Sequence, residues 1–522
     1  MIGVDRMYVI GITDHRPYFS KNEQGILQNK FSAHKKKSKS SSTKDPPMSI
    51  AVPTLTSIWH LTDVHVDPYY VVGSDAANCY CETYESCARI GKTCGDAHEA
   101  ALAAPPWGSS EGNCATPVPL YESCMDFMSS SNDDNNSTYT QLAYYTGDFT
   151  EAGAPYACNA SSHVTAHDQV IGIIRRGWKK VKDALGDGAR VFGVLGNHDL
   201  VPGDYCYGTS EMQWLYANLT EIWADDLAHD TKALATLVKG GYYATDVHGS
   251  GSSDLRVVAL NTNYFSSLNP EMKNSSSAAY QLGLDQMVWF EQELKDAVQR
   301  QQSVHILGHI MSDTANEWVD NFYIRFQRAV ALADGAVKGL FWGHVHTDQW
   351  TLLRTCDDDD DGDGDDDGPC LGTPTAVMLA GPSLTEGYPA TYPAVRRLDF
   401  DTETWDLYDA TTFHTDLHDA NSKNMSSLQW EKLYSFREHF GMPDLSTGSF
   451  SALIERMSET NSLEWELYRG GNNGTTPNVY CSGYTNKGAP FAAKNPCTVD
   501  CLGACKTNWI AWLNGSVAAN AN

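Results

Sequence analysis

Apolar residues in this chain gather into short runs that stop abruptly at polar or charged residues. Ile58-Trp59-His60-Leu61-Thr62 leads into Asp63-Val64-His65, and Leu142-Ala143-Tyr144-Tyr145-Thr146 into Gly147-Asp148. Val191-Phe192-Gly193-Val194-Leu195 leads into Gly196-Asn197-His198-Asp199. Val304-His305-Ile306-Leu307 ends at Gly308-His309, and Gly339-Leu340-Phe341-Trp342 at Gly343-His344-Val345-His346. Short β-branched and aromatic runs of this kind predict buried strands. Their C-terminal ends are where open α/β sheets bind ligands. A single His after a strand is usually a hydrogen-bonded loop residue, and a single Gly-Asp pair a turn. Five strand ends carrying Asp, His or Asn in one chain point instead to one shared site.

Between these runs the period changes. Ile171, Ile174, Trp178, Val181 and Leu185 step by three and four, which predicts a helix over Ala166–Leu185. Thr165 with Asp168 makes a capping-box start and Gly186 a stop. Further helices are expected at Leu284–Gln299 and Glu317–Ala333, and strands at Leu255–Leu260, Ala376–Ala380, Val395–Phe400 and Thr404–Thr411. This alternation predicts two packed mixed sheets with helices outside. Trp430, Leu433, Tyr434, Arg437 and Phe440, then Phe450, Leu453, Ile454 and Met457, have helical spacing. The expected organisation is a disordered basic, Ser-rich leader over 1–50 and a catalytic domain over 51–415. A helical C-terminal subdomain with a Cys-rich end follows over 416–522. Within the catalytic domain, 75–135 reads as a Cys-rich insertion of little periodicity and 356–370 as an acidic loop.

Composition adds compartment and excludes some partners. A hydrophobic content of 42% over 522 residues suffices for a large core, and a net charge of −28 argues against a nucleic-acid-binding surface. Nine of the carboxylates lie between Cys356 and Cys370. An EF-hand started at Asp357 would need a bidentate Glu where Gly368 stands, so the segment reads as a hairpin tip closed by a Cys356–Cys370 disulfide. Fourteen cysteines, clustered mainly in turn-rich segments at either end, read as disulfide staples with most or all paired and a two-disulfide knot over Cys481 to Cys505. Eight Asn-x-Ser/Thr sequons, at Asn135, Asn136, Asn159, Asn218, Asn274, Asn424, Asn473 and Asn514, favour a secreted or lysosomal protein. Residues 1–30 contain no apolar signal-peptide core, and no run of about 18 apolar residues suits a membrane span.

The order Asp-x-His, Gly-Asp, Gly-Asn-His-Asp, Gly-His, Gly-His-x-His resembles that of the calcineurin-like metallophosphoesterases. Within that superfamily the chain is similar to acid sphingomyelinase and the acid sphingomyelinase-like phosphodiesterases. The similarity includes Gly308-His309-Ile310 followed by Trp318, Gly343-His344-Val345-His346-Thr347-Asp348, and Ala380-Gly381-Pro382-Ser383-Leu384-Thr385. The first 78 residues contain no cysteine, so the six-cysteine saposin module of acid sphingomyelinase is missing and the saposin-free branch is the nearer. The resemblance implies an α/β fold, a four-layer α/β/β/α sandwich of two mixed sheets, with a disulfide-stapled helical subdomain after it. It also implies two divalent transition-metal ions, zinc first, with manganese or iron as alternatives. Asp63, His65 and His346 would hold one ion, Asn197, His309 and His344 the other, and Asp148 both. A hydroxide bridging the metals would attack phosphorus, with His198 stabilising the transition state or protonating the leaving oxygen and Asp199 orienting His198. The implied substrate is a small-molecule or lipid phosphodiester, either sphingomyelin-like or nucleotide-type. Peripheral membrane contact is an option, and the oligomeric state is left open.

Departures from that branch are local. Phe149-Thr150-Glu151-Ala152 lacks the His that usually follows the bridging Asp, with His163 or His167 as spatial replacements. Met311-Ser312-Asp313 replaces a Pro-Pro-Gly at the pocket rim. A purple-acid-type phosphomonoesterase would need Tyr where Glu151 stands. A non-catalytic acidic glycoprotein on the same scaffold would explain the Asp loop, but not seven competent ligand positions.

Overall fold

The computed structural model describes residues 53–76, 81, 103–109, 114–132, 139–151, 165–248, 254–311, 318–319, 322–333, 335–355, 372–385 and 392–470. Two six-stranded mixed sheets carry the core. In the first, β1 (Leu55–Leu61), β4 (Tyr139–Tyr145) and β5 (Arg190–Gly193) run parallel. From the other side of β1 the sheet continues antiparallel through β12 (Ala394–Asp401), β13 (Leu407–His414) and β14 (Glu431–Ser435). In the second, β7 (Leu255–Ala259), β8 (Ser303–Leu307), β9 (Val337–Trp342) and β11 (Pro374–Ala380) are parallel. Antiparallel β6 (Tyr243–Val247) and β10 (Gln349–Arg354) close its edges. A short ladder pairs β2 (Val66–Asp67) with β3 (Thr116–Pro117).

The parallel strands are buried nearly end to end, as expected for strands covered on both faces. The inner faces meet through Tyr144 and His305, whose hydroxyl and Nδ1 lie 2.6 Å apart. Helices cover the outer faces. On the first sheet these are α1 (Val118–Asn132) and α2 (Ala166–Leu185); α3 (Thr209–Trp223) packs on α2, and α4 (Thr231–Gly240) packs on α3 and against β6 of the second sheet. On the second they are α5 (Ala278–Arg300) and α6 (Phe322–Leu332). The result is the expected α/β/β/α arrangement. Helix α2 starts as its sequence predicts. The Thr165 hydroxyl accepts the Asp168 amide at 3.2 Å, and Asp168 accepts the Thr165 amide at 3.1 Å.

Several expectations need correction. The segment 75–135 is not devoid of periodicity: α1 lies within it, burying Leu120, Tyr121, Cys124, Met125 and Met128 on one face. The i, i+4 repeat was hidden by Pro119, which a first turn tolerates, and by a cysteine serving as a core residue. Residues 431–435 are strand β14, not helix, because the edge of β13 offers them a backbone partner. The helical spacing holds from α8 (Phe436–Phe440) onward, through α9 (Thr447–Ser458) and α10 (Leu463–Gly470), after a short α7 (Leu417–Ser422). Cys81 and Cys114 form a disulfide, whereas Cys124 and Cys206 carry buried free thiols, so the fourteen cysteines are not all paired. Cys356–Cys370, the 481–505 knot and the 1–50 leader lie outside the described residues. No helix among the described residues is long and apolar enough to cross a membrane.

Candidate metal centre

Both sheets deliver side chains to the same end of the sandwich. Asp63 and His65 follow β1, Asp148 follows β4, Asn197 and His198 follow β5, His309 follows β8, and His344 and His346 follow β9. Five of these residues sit at positive φ: Asp63 at 48°, His65 at 44°, Asp148 at 56°, His344 at 73° and His346 at 59°. That conformation is uncommon for residues with a Cβ, costs about 1–3 kcal/mol each, and clusters at functional sites. The strain is held by cross-loop backbone bonds, Asp63 N–H to Gly147 O and His65 N–H to Asp148 O, each 3.0 Å. The Asp63 carboxylate in turn accepts the His344 amide at 2.9 Å and the Thr62 hydroxyl at 2.6 Å. Two glycines make the approach possible. A Cβ on Gly196 would lie 1.9 Å from Asp148 Oδ1, and one on Gly343 would lie 2.0 Å from Thr62 Oγ1.

The structure brings all seven expected ligand residues together, in two groups that share Asp148. In the first, His346 Nε2 stands 3.3 Å from Asp63 Oδ1 and 3.2 Å from His65 Nε2, and His65 Nε2 stands 3.5 Å from Asp148 Oδ2. In the second, His309 Nε2 stands 3.2 Å from the same Asp148 Oδ2 and 3.1 Å from Asn197 Oδ1, which is 3.0 Å from His344 Nδ1. Ligand atoms about 2.0–2.2 Å from one ion stand roughly 2.8–3.6 Å apart in octahedral or tetrahedral geometry, a range that contains these spacings. Two imidazoles are also oriented as metal-binding histidines are. His65 Nδ1 donates to Thr150 O and His309 Nδ1 to Thr146 O, both at 2.7 Å, which turns each Nε2 inward. Asp148 Oδ2 is buried and accepts no well-directed hydrogen bond. The mixed imidazole, carboxylate and amide set suits zinc, manganese or iron.

The electrostatics show what the site asks for. Burial pushes the Asp63 carboxyl up to about 7. Burial also drives His65 down to about 4 and His344 to about 3, so both rings stay neutral and able to ligate. His309 goes the other way: burial, the largest single influence, opposes charging, but Asp148, Asp63 and the Thr146 carbonyl together outweigh it and raise the ring to about 9. The cationic form of His309 is thus favoured beside Asp148, and a metal cation seated there would take the place of that charge.

His198 and Asp199 make different contacts. The His198 amide donates to Asp148 Oδ1 at 2.8 Å, and its half-buried ring lies edge-on to His65, 5.3 Å between centroids. The Asp199 carboxylate is held by backbone amides. It accepts the amides of Asp148 at 3.0 Å, Phe149 at 2.9 Å, Thr150 at 3.2 Å and Gly196 at 2.9 Å, tying the β4 and β5 loops together. His167 is exposed and stacks on Trp214, centroids 3.9 Å apart, while His163 lies outside the described residues. Sequence reasoning missed the Thr146 and Thr150 carbonyls, which leave no side-chain signal, and Asp204, whose Pro-Gly-Asp setting reads as an ordinary turn.

The family model described as Calcineurin-like phosphoesterase matches residues 56–348. The human protein named acid sphingomyelinase-like phosphodiesterase 3b is 26% identical over 424 residues, covering 78% of this chain and 81% of its own. The rat protein named cyclic GMP-AMP phosphodiesterase SMPDL3A is 25% identical over 440 residues, covering 80% and 84%. Sphingomyelin phosphodiesterase B of Dictyostelium discoideum is 26% identical over 466 residues, covering 87% of this chain and 64% of its own.

Proposed function

Because the chain belongs to the calcineurin-like phosphoesterase family, we propose that it is a binuclear-metal phosphodiesterase acting on a small-molecule or lipid phosphodiester. The observation that carries this reading is Asp148 Oδ2, a buried carboxylate oxygen 3.5 Å from His65 and 3.2 Å from His309, with one ligand group on either side. Asp63, His65 and His346 would hold one ion, and Asn197, His309 and His344 the other, with zinc the best match to the donors. The ions, when bound, acidify a water and take up charge from the phosphate oxygens.

The chain's own residues supply the rest. Asp63, His65, Asp148, Asn197 and His309 are buried, whereas His198, His344 and His346 are partly exposed, so the phosphodiester enters across these three rings. Asp148 fixes the His198 amide and so sets the ring at the open face. His198 donates the proton to the leaving oxygen, a role that typically contributes about 10²–10⁴-fold. Asp199 acts at one remove, by clamping the loops that carry Asp148 and Asn197.

The relatives named for sphingomyelin and for cyclic GMP-AMP support two substrate classes, and the cysteines and sequons support a secretory route. Protein purified without chelators is expected to contain two zinc ions per chain and to cleave bis(p-nitrophenyl) phosphate. Parallel assays on sphingomyelin and a nucleotide phosphodiester separate the classes. Fewer than two ions at saturation, or no hydrolysis of any of the three, overturns the reading.

A further inference from the structure

We propose that Asp204 is a positioning residue that fixes which end of the Asn197 amide faces the second metal ion, an inference that rests on the binuclear reading above. A carboxamide has two ends of nearly the same size and opposite chemistry. Its oxygen can ligate a cation and its NH2 cannot. Packing alone cannot tell them apart, so the orientation has to be set by a partner on the far side. Asp204 is that partner. Its Oδ1 lies 2.8 Å from Asn197 Nδ2, while Asn197 Oδ1 faces His309 Nε2 at 3.1 Å and His344 Nδ1 at 3.0 Å.

A carboxylate accepts hydrogen bonds and offers none. The flipped amide would set an oxygen against the Asp204 oxygen and an NH2 toward the ion, losing a charge-assisted bond and a ligand together. Asp204 also grips Asn197 through the main chain, its own amide donating to Asn197 O at 3.0 Å. It does so from the left-handed region, at φ 65°, which turns the 197–204 loop back on itself. One residue thus holds both the backbone and the side chain of a single ligand. Asp204 lies outside both carboxylate–imidazole clusters, so its action on the ion is indirect.

The test is a competition titration of metal-free protein with Zn2+ against a chromophoric chelator, run on wild type, Asp204→Ala and Asp204→Asn, with thermal unfolding of each metal-free protein in parallel. Partners that orient a ligand typically change metal affinity about 10–100-fold. Asp204→Ala is expected to weaken one of the two ions by about that factor, leaving the other ion and the metal-free melting temperature near wild type. Asp204→Asn keeps the loop but can satisfy either amide orientation, so it is expected to fall between the two. Three results overturn the inference. They are an Asp204→Ala protein that binds both ions as wild type does, equal weakening of both ions with a lowered metal-free melting temperature, and an Asp204→Asn protein indistinguishable from wild type while Asp204→Ala is unfolded. A wild-type protein that takes up fewer than two ions fails at the earlier step and removes the binuclear reading and this inference with it.

Discussion

The two oxygens of the Asp148 carboxylate face different ways. Oδ1 accepts the His198 amide, and Oδ2 lies between the His65 and His309 rings. Removing this side chain leaves two cation sites with no shared anion and frees the loop that carries His198. Removing the His198 ring leaves its backbone amide on Asp148 and every ligand in place. Asp148→Ala is therefore expected to lose both ions and all activity. His198→Ala is expected to keep two ions and lose about 10²–10⁴-fold in kcat. Metal content and kcat measured on the same preparations decide this, and a His198→Ala protein that sheds an ion contradicts the division of roles. Asp199 gives a different signature. Burial, then the neighbouring Asp148 charge, push its carboxyl up to about 7, yet four amides converge on it. A buried amide left without an acceptor costs about 1–3 kcal/mol. Asp199→Ala should thus lower unfolding stability by at least about 3 kcal/mol in urea titrations. A loss below about 1 kcal/mol would mean that water replaces the carboxylate without penalty.

At the scale of elements, the loop after β9 is anchored from behind by residues far along the chain. Asp348, two residues past His346, is buried and paired with the fully buried Arg396 of β12 and the hydroxyl of Tyr434 in β14. Arg396 reaches on to Ala380 O at 3.2 Å and Thr412 Oγ1 at 3.4 Å, so β11, β13 and the β9 loop share one guanidinium. Breaking a buried pair by removing one partner costs about 3–5 kcal/mol, because the other charge stays buried. Arg396→Met should destabilise by that amount, and Arg396→Met with Asp348→Leu should recover part of it. A double variant no better than the single one would argue against charge as the cause.

None of this was legible in the sequence, since Arg396 reads only as an interruption in an apolar strand and Tyr434 as one member of a helical series. What was legible had a local cause. Thr165 and Asp168 announce a helix start because both halves of the cap lie within four residues, and the seven ligands show because each ends a short apolar run. Strand β14 did not, because its partner β13 is set by pairing across the sheet edge, which a periodic count along one segment cannot see. Asp199 was legible as a functional position but not as a clamp, because its four partners are amides, three of them about fifty residues away in sequence.

For the molecule as a whole, the interior between the two sheets contains two histidines that have no part in the centre as ligands. His60 on β1 lies with Nε2 2.9 Å from Thr146 Oγ1, and its ring stands edge-on to Phe341 of the opposite sheet. His305 on β8 takes the Tyr144 hydroxyl on one nitrogen and reaches Trp405 O at 3.2 Å with the other. Burial drives both rings down to about 3, with the Arg396 charge adding to the effect at His60. A folded-state value below the unfolded one means that the unfolded chain binds the proton first. The stability these rings protect is fully present above the ordinary histidine value of about 6.5 and is lost as pH falls from there toward 3. Within that window each ring contributes a slope of about 1.4 kcal/mol per pH unit. His305→Phe removes one of the two. It leaves the Tyr144 hydroxyl without its acceptor, so the variant should be less stable at pH 7.5 by about 1–3 kcal/mol. Its loss of stability between pH 6 and pH 4 should be shallower than that of wild type by about 1.4 kcal/mol per unit. Urea unfolding of both proteins across that range, at one fixed chelator concentration so that the metal contribution is absent from each, reads the two slopes directly. Parallel curves would mean that His305 titrates alike in the folded and unfolded chains, and that the sheet interior admits enough water to charge it.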